Sequence, residues 1–444
     1  MSRRYFGTDG VRGRVGQDPM TADFAMRLAS AAARVLVPQG GTVLIGKDTR
    51  LSGYMFESAL EAGFVAAGAD VLLLGPLPTP GIAMLTQEFD ADLGVVISAS
   101  HNLFFDNGIK FFDKNGAKLS DDVEQQIEEF LADPAITLES SELGKAKRID
   151  TARIRYEEFA AATMPEGLTL EGLKIVFDGA NGAGYKVGPR TLARLGAEVI
   201  PIGCSPNGKN INDACGSTQP DLLCLTVPAV KANVGLALDG DGDRLVMVDE
   251  NGAMVDGDQL LFILASSRMD KGELNGPVVG TVMSNLGLEH ALNLRGIEFH
   301  RAQVGDRYVL ETLRKEGGTI GGETSGHMLM LDKTTTGDGL VCGLQVLAIM
   351  KETGKKLSEL AAGMPRYPQT MLNVRTDKRM DPHASAAVRK ALGEAESELA
   401  DKGRVVLRAS GTEPVIRVMV EGEDEKLVLK LAKRLATVVA EAAA

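Results

Sequence analysis

Three aspartates that alternate with glycines form the strongest chemical signal in the sequence. Asp239, Asp241 and Asp243 lie in the stretch DGDGDR. In an extended loop every second side chain points to the same side, so the three carboxylates suit a hard divalent cation such as Mg²⁺. A solvated acidic turn is the alternative. An EF-hand is disfavoured because Arg244 stands where that loop requires its glycine.

A serine stands just past the end of an apolar run, among small and polar residues. The stretch ISASHNLFFDNGIK contains Ser100 beside His101 and ends at Lys110. The run from Leu93 to Ile97 reads as a strand, and a serine in the loop that follows is exposed and close to hydrogen-bond donors. This placement suits a serine that takes part in chemistry. An ordinary loop serine fits equally well, so both interpretations stay open at this point.

Two further glycine-rich stretches carry reactive side chains. GGETSGH offers the carboxylate of Glu323, the hydroxyl of Ser325 and the imidazole of His327. A carboxylate with a hydroxyl is the usual pairing for binding sugar hydroxyl groups, and a surface loop with a histidine is the alternative. GTDGVRG places Arg12 in a glycine-rich loop near the start of the chain. An N-terminal turn is the alternative there.

The stretch RASGTEPVIR lies between two predicted strands near the C-terminus. It contains two arginines that flank small residues, namely Arg408, Ser410, Gly411, Thr412 and Arg417. Glycine and small hydroxyl residues expose backbone N–H groups, and arginines bind phosphate oxygens in a bidentate manner. The stretch is therefore a candidate phosphate site, although a Ser-Gly-Thr turn alone is usually only a turn.

The elements that position these stretches come from an internal repeat. Three segments share one plan, in which a strand, a polar turn and a helix lead to a second strand entered through glycine. They begin at TVLIGKDTR, LKIVFDGANGAG and PVVGTVMSN. Each predicts a βαβ unit in a parallel sheet. ADLGVVISASHN aligns with ANVGLALDGDGD and EGGTIGGETSGH, so the serine, the aspartates and the Glu-Thr-Ser stretch occupy matching strand ends.

The repeat predicts four domains. We expect three α/β domains of one fold family, with mixed and mainly parallel sheets, at residues 1–154, 155–256 and 257–366. A smaller α+β domain follows at 367–444, where the repeat ends. Ligands of open α/β sheets gather outside the carboxyl ends of the strands. The three matched loops should therefore meet in one cleft if the domains face inward.

Composition and charge restrict the classes of partner that the protein is expected to bind. The net charge of −12 disfavours nucleic acid and anionic membranes as main partners. No apolar run approaches the ~20 residues of a membrane span, and MSRRYFGTDG lacks the apolar segment of a secretory signal. The cysteines form no Cys-x-x-Cys pair, which is typical of reduced thiols in a cytoplasmic protein. We therefore expect a cytoplasmic protein with a small-molecule partner, and leave homodimer formation open.

The five chemical stretches occur in the order and at the spacing of one known family. The chain resembles the α-D-phosphohexomutases across essentially its whole length. The stretches that carry the resemblance are GTDGVRG, SASHN with NGIK, DGDGDR, GETSGH and RASGTEPVIR. The resemblance implies a heart-shaped fold of four domains, the last of them smaller. It also implies an isomerase that interconverts glucosamine 6-phosphate and glucosamine 1-phosphate through a phosphoserine and a sugar bisphosphate. Such an enzyme serves the synthesis of UDP-N-acetylglucosamine and cell-wall precursors.

Two alternative functions remain at this stage. One is a phosphomannomutase or phosphoglucomutase of the same family, which performs the same chemistry on a 2-hydroxy sugar. The other is a regulator that binds phosphosugars without catalysis. The sequence alone does not decide between the two sugars.

The resemblance assigns a role to each stretch. Ser100 carries the phosphoryl group, and the three aspartates hold one Mg²⁺ together with an oxygen of phosphorylated Ser100. Sugar hydroxyls are bound by Glu323 and Ser325. The transferring phosphoryl group is surrounded by Arg12, His101, Lys110, Arg244 and His327. The other phosphate is bound by Arg408, Ser410, Gly411, Thr412 and Arg417. Glucosamine or glucose 1,6-bisphosphate is the implied activator.

Two details of this assignment concern the protonation of Lys110 and the rigidity of the Ser100 loop. Lys110 is the implied general base, with His327 second, and a lysine in that role needs a lowered pKa. Leu103 replaces the proline that the family usually carries after Ser-His-Asn. Because a fixed φ is lost, we expect a less rigid Ser100 loop, with altered rate or phosphorylation rather than lost function.

Overall fold

The structure, a computed structural model, describes residues 4–7, 9–376, 381–409 and 415–443. Within these ranges the chain forms four successive units, each built on its own sheet. No helix in the described part of the chain combines the length and the apolar character that a membrane span requires.

The first unit contains a six-stranded sheet. Its elements are β1 (Val11–Arg14), α1 (Ala22–Leu36), β2 (Gly41–Lys47), α2 (Ser52–Ala66), β3 (Ala69–Pro76), α3 (Thr79–Glu88), β4 (Leu93–Ile97), β5 (Asp106–Asp113), α4 (Asp121–Phe130) and β6 (Ala146–Arg148). Helix α5 (Ala152–Ala162) leads to the second unit, which contains β7 (Lys174–Asp178), α6 (Val187–Arg194), β8 (Glu198–Ile202), α7 (Asp221–Ala229), β9 (Val234–Leu238), β10 (Leu245–Val248) and β11 (Met254–Val255).

The third unit repeats the same elements and ends in two helices. It contains α8 (Gly257–Lys271), β12 (Val278–Thr281), α9 (Leu286–Leu294), β13 (Phe299–Ala302), α10 (Asp306–Glu316), β14 (Ile320–Gly322), β15 (Met328–Met330), α11 (Gly339–Thr353) and α12 (Leu357–Ala361). The fourth unit is smaller and contains β16 (Gln369–Arg375), α13 (Ala386–Leu399), β17 (Gly403–Ala409), β18 (Val415–Gly422) and α14 (Glu425–Ala443).

Strand order confirms the predicted repeat and fold class. The three larger sheets share the orders β5-β4-β2-β3, β10-β9-β7-β8 and β15-β14-β12-β13. In each, three parallel strands are followed by one antiparallel strand at the edge of the repeat. All five residues of β4 and of β9 are buried, as is typical of parallel strands covered on both faces. The sheet of the fourth unit is antiparallel.

Two local predictions need comment. GTDGVRG was expected to form a loop, but its second half is strand β1, which pairs antiparallel with β5 so that Arg12 lies opposite Gly108. The alternation of small and charged residues hid this edge strand. The predicted boundary at residue 154 falls inside helix α5. The domain limits and the heart shape stay predictions.

Five apolar clusters form the cores of the described residues, and two of them show how the units are related. One apolar cluster runs through the first three units and includes Phe112, Tyr156, Phe177 and Leu340. The fourth unit has its own cluster, formed by α13, α14 and one face of its sheet. The fourth unit therefore has an independent core. The first three units share one large cluster, and the first unit has a further cluster of its own around α1 and α2.

A buried hydrogen-bond pair joins the linking helix to the third unit. Tyr156 on α5 is fully buried, and its hydroxyl lies 3.0 Å from both carboxylate oxygens of Asp338. Asp338 caps helix α11, because it also accepts a hydrogen bond from the backbone N–H of Val341 at 2.9 Å. The backbone N–H of Gly339 donates to the carbonyl oxygen of Gly242 at 3.0 Å. The pair thus supports the helix terminus that contacts the aspartate loop.

We predict that Tyr156→Phe lowers the free energy of unfolding by about 1–2 kcal/mol, because a buried carboxylate loses a donor. Urea denaturation followed by circular dichroism measures the change. Tyr308→Phe, on the more exposed Tyr308, is the control and should shift it by less than ~0.5 kcal/mol. Equal shifts in the two variants would contradict the prediction.

Candidate functional site

Ser100 is buried and held in an unusual backbone conformation. It follows β4, has a φ of 50°, and is 1% exposed. The expectation of an exposed serine is therefore wrong, because the aspartate loop packs against Ser100. A positive φ is uncommon for a residue with a Cβ and persists only when the surroundings impose it. The Ser100 hydroxyl donates to Asp239 Oδ2 at 2.6 Å. The serine loop and the aspartate loop, predicted to face one another, are therefore in direct contact.

Two side chains that the sequence analysis missed hold the serine loop. The guanidinium of Arg50 donates to the carbonyl oxygens of Ser100 and Asn102. The side-chain amide of Asn212 donates to the same two oxygens at 2.8 and 2.9 Å. Arg50 is fully buried and pairs with Asp48. The sequence signal that could have identified Arg50 is the charged stretch KDTR at the end of a buried strand. Whether Leu103 loosens this loop stays a prediction.

The three predicted metal ligands lie together. Carboxylate oxygens of Asp239, Asp241 and Asp243 lie within 4.8 Å of one another, and all three residues are buried. Burial, followed by the charges of Asp243 and Asp241, raises the pKa of Asp239 well above its usual value. One oxygen of Asp241 and one of Asp243 have no hydrogen-bond partner among the described residues. A divalent cation fits this set, because it would satisfy these oxygens and remove the repulsion.

Glycine is required where the two loops meet. A Cβ on Gly240 would lie 2.6 Å from the carbonyl oxygen of Ser100 and 2.7 Å from the Asn212 amide nitrogen. Both distances are shorter than van der Waals contact, so a larger residue would push the loops apart. The alternation of glycine and aspartate therefore serves the approach of the two loops as well as the common direction of the carboxylates.

Lys110 on β5 projects into the aspartate cluster. Its ammonium lies 2.9 Å from Asp241 and 2.9 Å from Asp9. Burial disfavours the charged lysine, but the two carboxylates outweigh burial and raise the Lys110 pKa. The direction is opposite to the lowered pKa that a general base requires. Lys110 therefore lies where the sequence analysis expects it. Its pKa, however, is raised, whereas the expected role as a general base requires a lowered pKa.

His327 joins the third unit to the site. Its Nδ1 lies 3.7 Å from Asp243, and its Nε2 lies 3.4 Å from Asp306. Burial opposes protonation, but Asp243 and Asp306 raise the His327 pKa to about 9. Asp306 also accepts from Lys118, which donates to Asp9 as well. Lys118 and Asp306, both missed in the sequence, thus link the first and third units beside the cluster.

The other predicted phosphoryl contacts surround Ser100. His101 Nδ1 lies 3.4 Å from the Ser100 hydroxyl, and burial with the nearby cations Arg244 and Arg12 lowers the His101 pKa to about 4. Arg12 pairs with Asp9. The backbone N–H of Arg244 donates to Asp239 at 3.2 Å, and Arg244 forms a β-bridge with His327.

The GETSGH loop follows β14 at the position equivalent to Ser100 and Asp239. The half-buried Glu323 accepts a hydrogen bond from the backbone N–H of Gly305 at 2.9 Å, and Ser325 is exposed. Gly326 has a φ of 89°, and a Cβ there would overlap the carbonyl of Leu245. This loop therefore packs directly on the second unit.

The two predicted arginines of the fourth unit lie opposite each other. Arg408 on β17 pairs in register with Arg417 on β18. Burial and the neighbouring Arg417 charge lower the Arg408 pKa. Like charges directly opposite destabilise a sheet, and no carboxylate among the described residues forms an ion pair with either arginine. Ser410, Gly411 and Thr412 lie outside the described residues.

Comparison with known sequences agrees with this geometry. Four models of the phosphoglucomutase/phosphomannomutase family match the chain: alpha/beta/alpha domain I at residues 3–135, domain II at 156–252, domain III at 256–367 and the C-terminal domain at 371–438. The chain belongs to this family. The predicted membership of the phosphohexomutases is confirmed.

Individual relatives cover the whole chain. The phosphoglucosamine mutase of Aeromonas salmonicida is 56% identical over 437 residues, which cover 98% of each chain. That of Methylococcus capsulatus is 55% identical over 444 residues, or 100% of this chain and 99% of the relative.

Solved structures of the family share the fold. A phosphoglucomutase/phosphomannomutase family protein of Burkholderia thailandensis has a TM-score of 0.81 at 24% identity, covering 98% of this chain and 97% of that protein. The N-acetylphosphoglucosamine mutase of Aspergillus fumigatus, in complex with GlcNAc-6P and magnesium, has a TM-score of 0.72 at 17% identity, covering 100% and 96%.

We predict that Asp239→Asn removes most of the stabilisation by Mg²⁺. At 100 times its Kd, a bound cation stabilises the wild type by ~2.7 kcal/mol. The variant loses one ligand and one repelling charge, so its metal-free melting temperature should equal or exceed that of the wild type. Thermal unfolding in EDTA and in MgCl₂ measures both effects. Asp270→Asn, at an exposed carboxylate, is the control; an intact Mg²⁺ effect in Asp239→Asn would refute a metal role for this residue.

Proposed function

We propose that the chain is a phosphoglucosamine mutase, which interconverts glucosamine 6-phosphate and glucosamine 1-phosphate through a phosphorylated Ser100 and a sugar bisphosphate. The observation that carries the proposal is the contact of the Ser100 hydroxyl with Asp239 at 2.6 Å. It joins a candidate nucleophile to a cluster suited to a cation. The choice of amino sugar rests on the phosphoglucosamine mutases that are 55–56% identical over nearly the full chain.

The aspartates would hold one Mg²⁺, with an oxygen of phosphorylated Ser100 as a further ligand. The cation, when bound, offsets negative charge on the phosphoryl oxygens and on the leaving serine oxygen. Arg50 and Asn212 fix the backbone on which Ser100 stands. The serine oxygen is thereby held in position before the reaction, which is how phosphoryl transfer enzymes gain most of their rate.

The reaction consists of two phosphoryl transfers. In the first, the bond between phosphorus and the Ser100 oxygen breaks, a bond to a substrate hydroxyl oxygen forms, and the hydroxyl proton passes to a base. The bisphosphate then turns over and returns its other phosphate to Ser100, which leaves the isomeric monophosphate. A sugar 1,6-bisphosphate would also phosphorylate Ser100 initially, which explains the predicted activator. The products would serve UDP-N-acetylglucosamine and cell-wall precursor synthesis.

Cationic side chains surround the proposed reaction centre. Arg12, Arg244 and protonated His327 are placed to offset charge on the transferring group. Lys110 lies beside the cluster as the predicted base, and its contacts with Asp241 and Asp9 must be broken or neutralised before it accepts a proton. His101 contributes the imidazole nearest to the serine oxygen.

The two ends of the substrate would be bound by different units. The opposed guanidiniums of Arg408 and Arg417 favour an anion between or beside them, because an anion relieves their repulsion. We assign them, with Ser410, Gly411 and Thr412, to the phosphate that does not react. Glu323 and Ser325 are assigned to the sugar hydroxyls.

A regulator without catalysis is disfavoured, because such a protein has no need of a buried serine beside three carboxylates.

We predict that Ser100→Ala lowers kcat by at least ~10³-fold, because the phosphoryl carrier is lost, while Mg²⁺ still stabilises the protein. A coupled assay of glucosamine 1-phosphate formation measures turnover, and intact mass before and after phosphatase shows the phosphoryl group. Ser140→Ala, at an exposed serine, should keep full activity. Normal turnover in Ser100→Ala would refute the mechanism.

We predict that kcat/KM for glucosamine 6-phosphate exceeds that for glucose 6-phosphate and mannose 6-phosphate by at least ~10-fold. A site built for one polar group discriminates against another through unpaired polar contacts. Assays of the three sugars under one set of conditions give the ratio. A preference for a 2-hydroxy sugar would identify the chain as a phosphomannomutase or phosphoglucomutase instead, with the serine mechanism unchanged.

A further inference from the structure

A cavity of about 940 Å³ lies outside the residues assigned to the reaction. It is lined by α3, α5 and the loop that connects β15 to α11. No residue of the proposed mechanism lines it. Its volume falls within the ~300–1,000 Å³ of small-molecule sites. We propose that this cavity, called here the α3–α5 cavity, binds a small organic anion with a flat apolar body, and that its occupancy changes turnover at Ser100.

One apolar wall of the cavity indicates that the ligand has an apolar part. Met84, Ile154 and Phe159 line the cavity together with Leu331. Ile154 is 44% exposed, although it is a large hydrophobic residue. The Phe159 ring stacks on Tyr156, with ring centroids 6.5 Å apart and planes at 23°. An apolar ring placed on this wall would cover surface that now faces water.

The charge of the ligand follows from the ion pairs of the lining. All three lining carboxylates are already paired with arginines: Glu88 with Arg155, Glu158 with Arg194 at 3.3 Å, and Asp332 with Arg268 at 2.9 Å. The three lining carboxylates are thus neutralised, two of them by arginines that lie outside the lining, and one lining lysine remains.

That lysine is Lys333. It is half-buried, and no carboxylate in the described ranges lies within ion-pair distance of its ammonium. Arg155, the second cation of the lining, is fixed by Glu88, by the Thr151 hydroxyl at 3.3 Å and by the Phe89 ring. The Lys333 ammonium beside an apolar wall therefore favours a ligand with an acidic group, and Arg155 lines the same cavity in its ion pair with Glu88.

Each wall of the cavity ends at the reaction centre. Helix α3 begins at Thr79, whose hydroxyl donates to Asp241 at 2.8 Å. On α5, Tyr156 under the Phe159 ring donates to Asp338, the cap of α11. In the connecting loop, a Cβ on Gly337 would overlap the His327 ring. A ligand that shifts these walls therefore shifts the aspartate loop and His327, and this contact network is the route by which occupancy alters turnover.

The test uses 8-anilinonaphthalene-1-sulfonate, which has a flat aromatic body and one sulfonate. We expect one molecule to bind per chain by isothermal titration calorimetry. Ala162→Trp fills the cavity from an exposed position and should weaken binding at least tenfold. Lys333→Gln should weaken it at least threefold, whereas Lys315→Gln, at an exposed lysine on α10, should leave it within twofold.

A reporter variant locates the bound probe. The chain contains no tryptophan, so Phe159→Trp introduces a single indole into the cavity wall. Efficient energy transfer from this indole to the bound naphthalene is expected. Its absence, or equal affinity in Ala162→Trp and wild type, would overturn the proposed site.

Kinetics test the coupling to the reaction centre. Saturating probe should change kcat at least twofold in the wild type and not in Ala162→Trp. Inhibition that is purely competitive with glucosamine 6-phosphate, or an unchanged kcat, would overturn the coupling. This part rests on the proposed function, but the calorimetry does not. If the protein does not turn over sugar phosphates, the proposed mutase function is wrong. The titration still shows whether the α3–α5 cavity binds the probe.

Discussion

The site depends on three aspartates whose charges are buried together. Burial and mutual repulsion make this cluster unfavourable by itself, as the raised pKa of Asp239 shows. Lys110 offsets part of the charge, and Arg50 fixes Ser100 against the cluster. A divalent cation would supply the remaining compensation. The crowding of the Asp239, Asp241 and Asp243 carboxylates is thus the physical feature that suits this cluster to a divalent cation.

The repeated fold makes such a cluster possible. Three copies of one sheet topology place a loop at the same strand end, and each loop carries a different polar side chain: Ser100, Asp239 and Glu323. Since the first three units share one apolar core, their loops are held in fixed relation. The fourth unit has its own core and brings a separate pair of arginines. The fourth unit thus has a core separate from the one shared by the three units whose loops lie near Ser100.

Polar contacts between the units lie beside the candidate site. Lys118 joins Asp9 to Asp306 across the first and third units, and Asp306 in turn lies beside His327. Tyr156 and Asp338 perform a similar role behind the aspartate loop. Such pairs tolerate few geometries, because a buried polar group left without its partner costs about 1–3 kcal/mol. Any change that separates the units should therefore disturb the reaction centre before it unfolds the protein.

The sequence by itself determined the fold class, the three repeats, the matching strand-end loops and the residue types of the site. These follow from local patterns: buried apolar runs, glycine-rich turns, and aspartates at alternate positions. Only the tertiary structure decided which distant residues complete the site. Asn212, Lys118 and Asp306 stand in unremarkable stretches, and the KDTR stretch that contains Arg50 gives no sign of its partners. Long-range packing alone brings these residues to Ser100 or His327. Protonation was decided in the same way, because a pKa depends on burial and neighbouring charges that have no trace in local sequence.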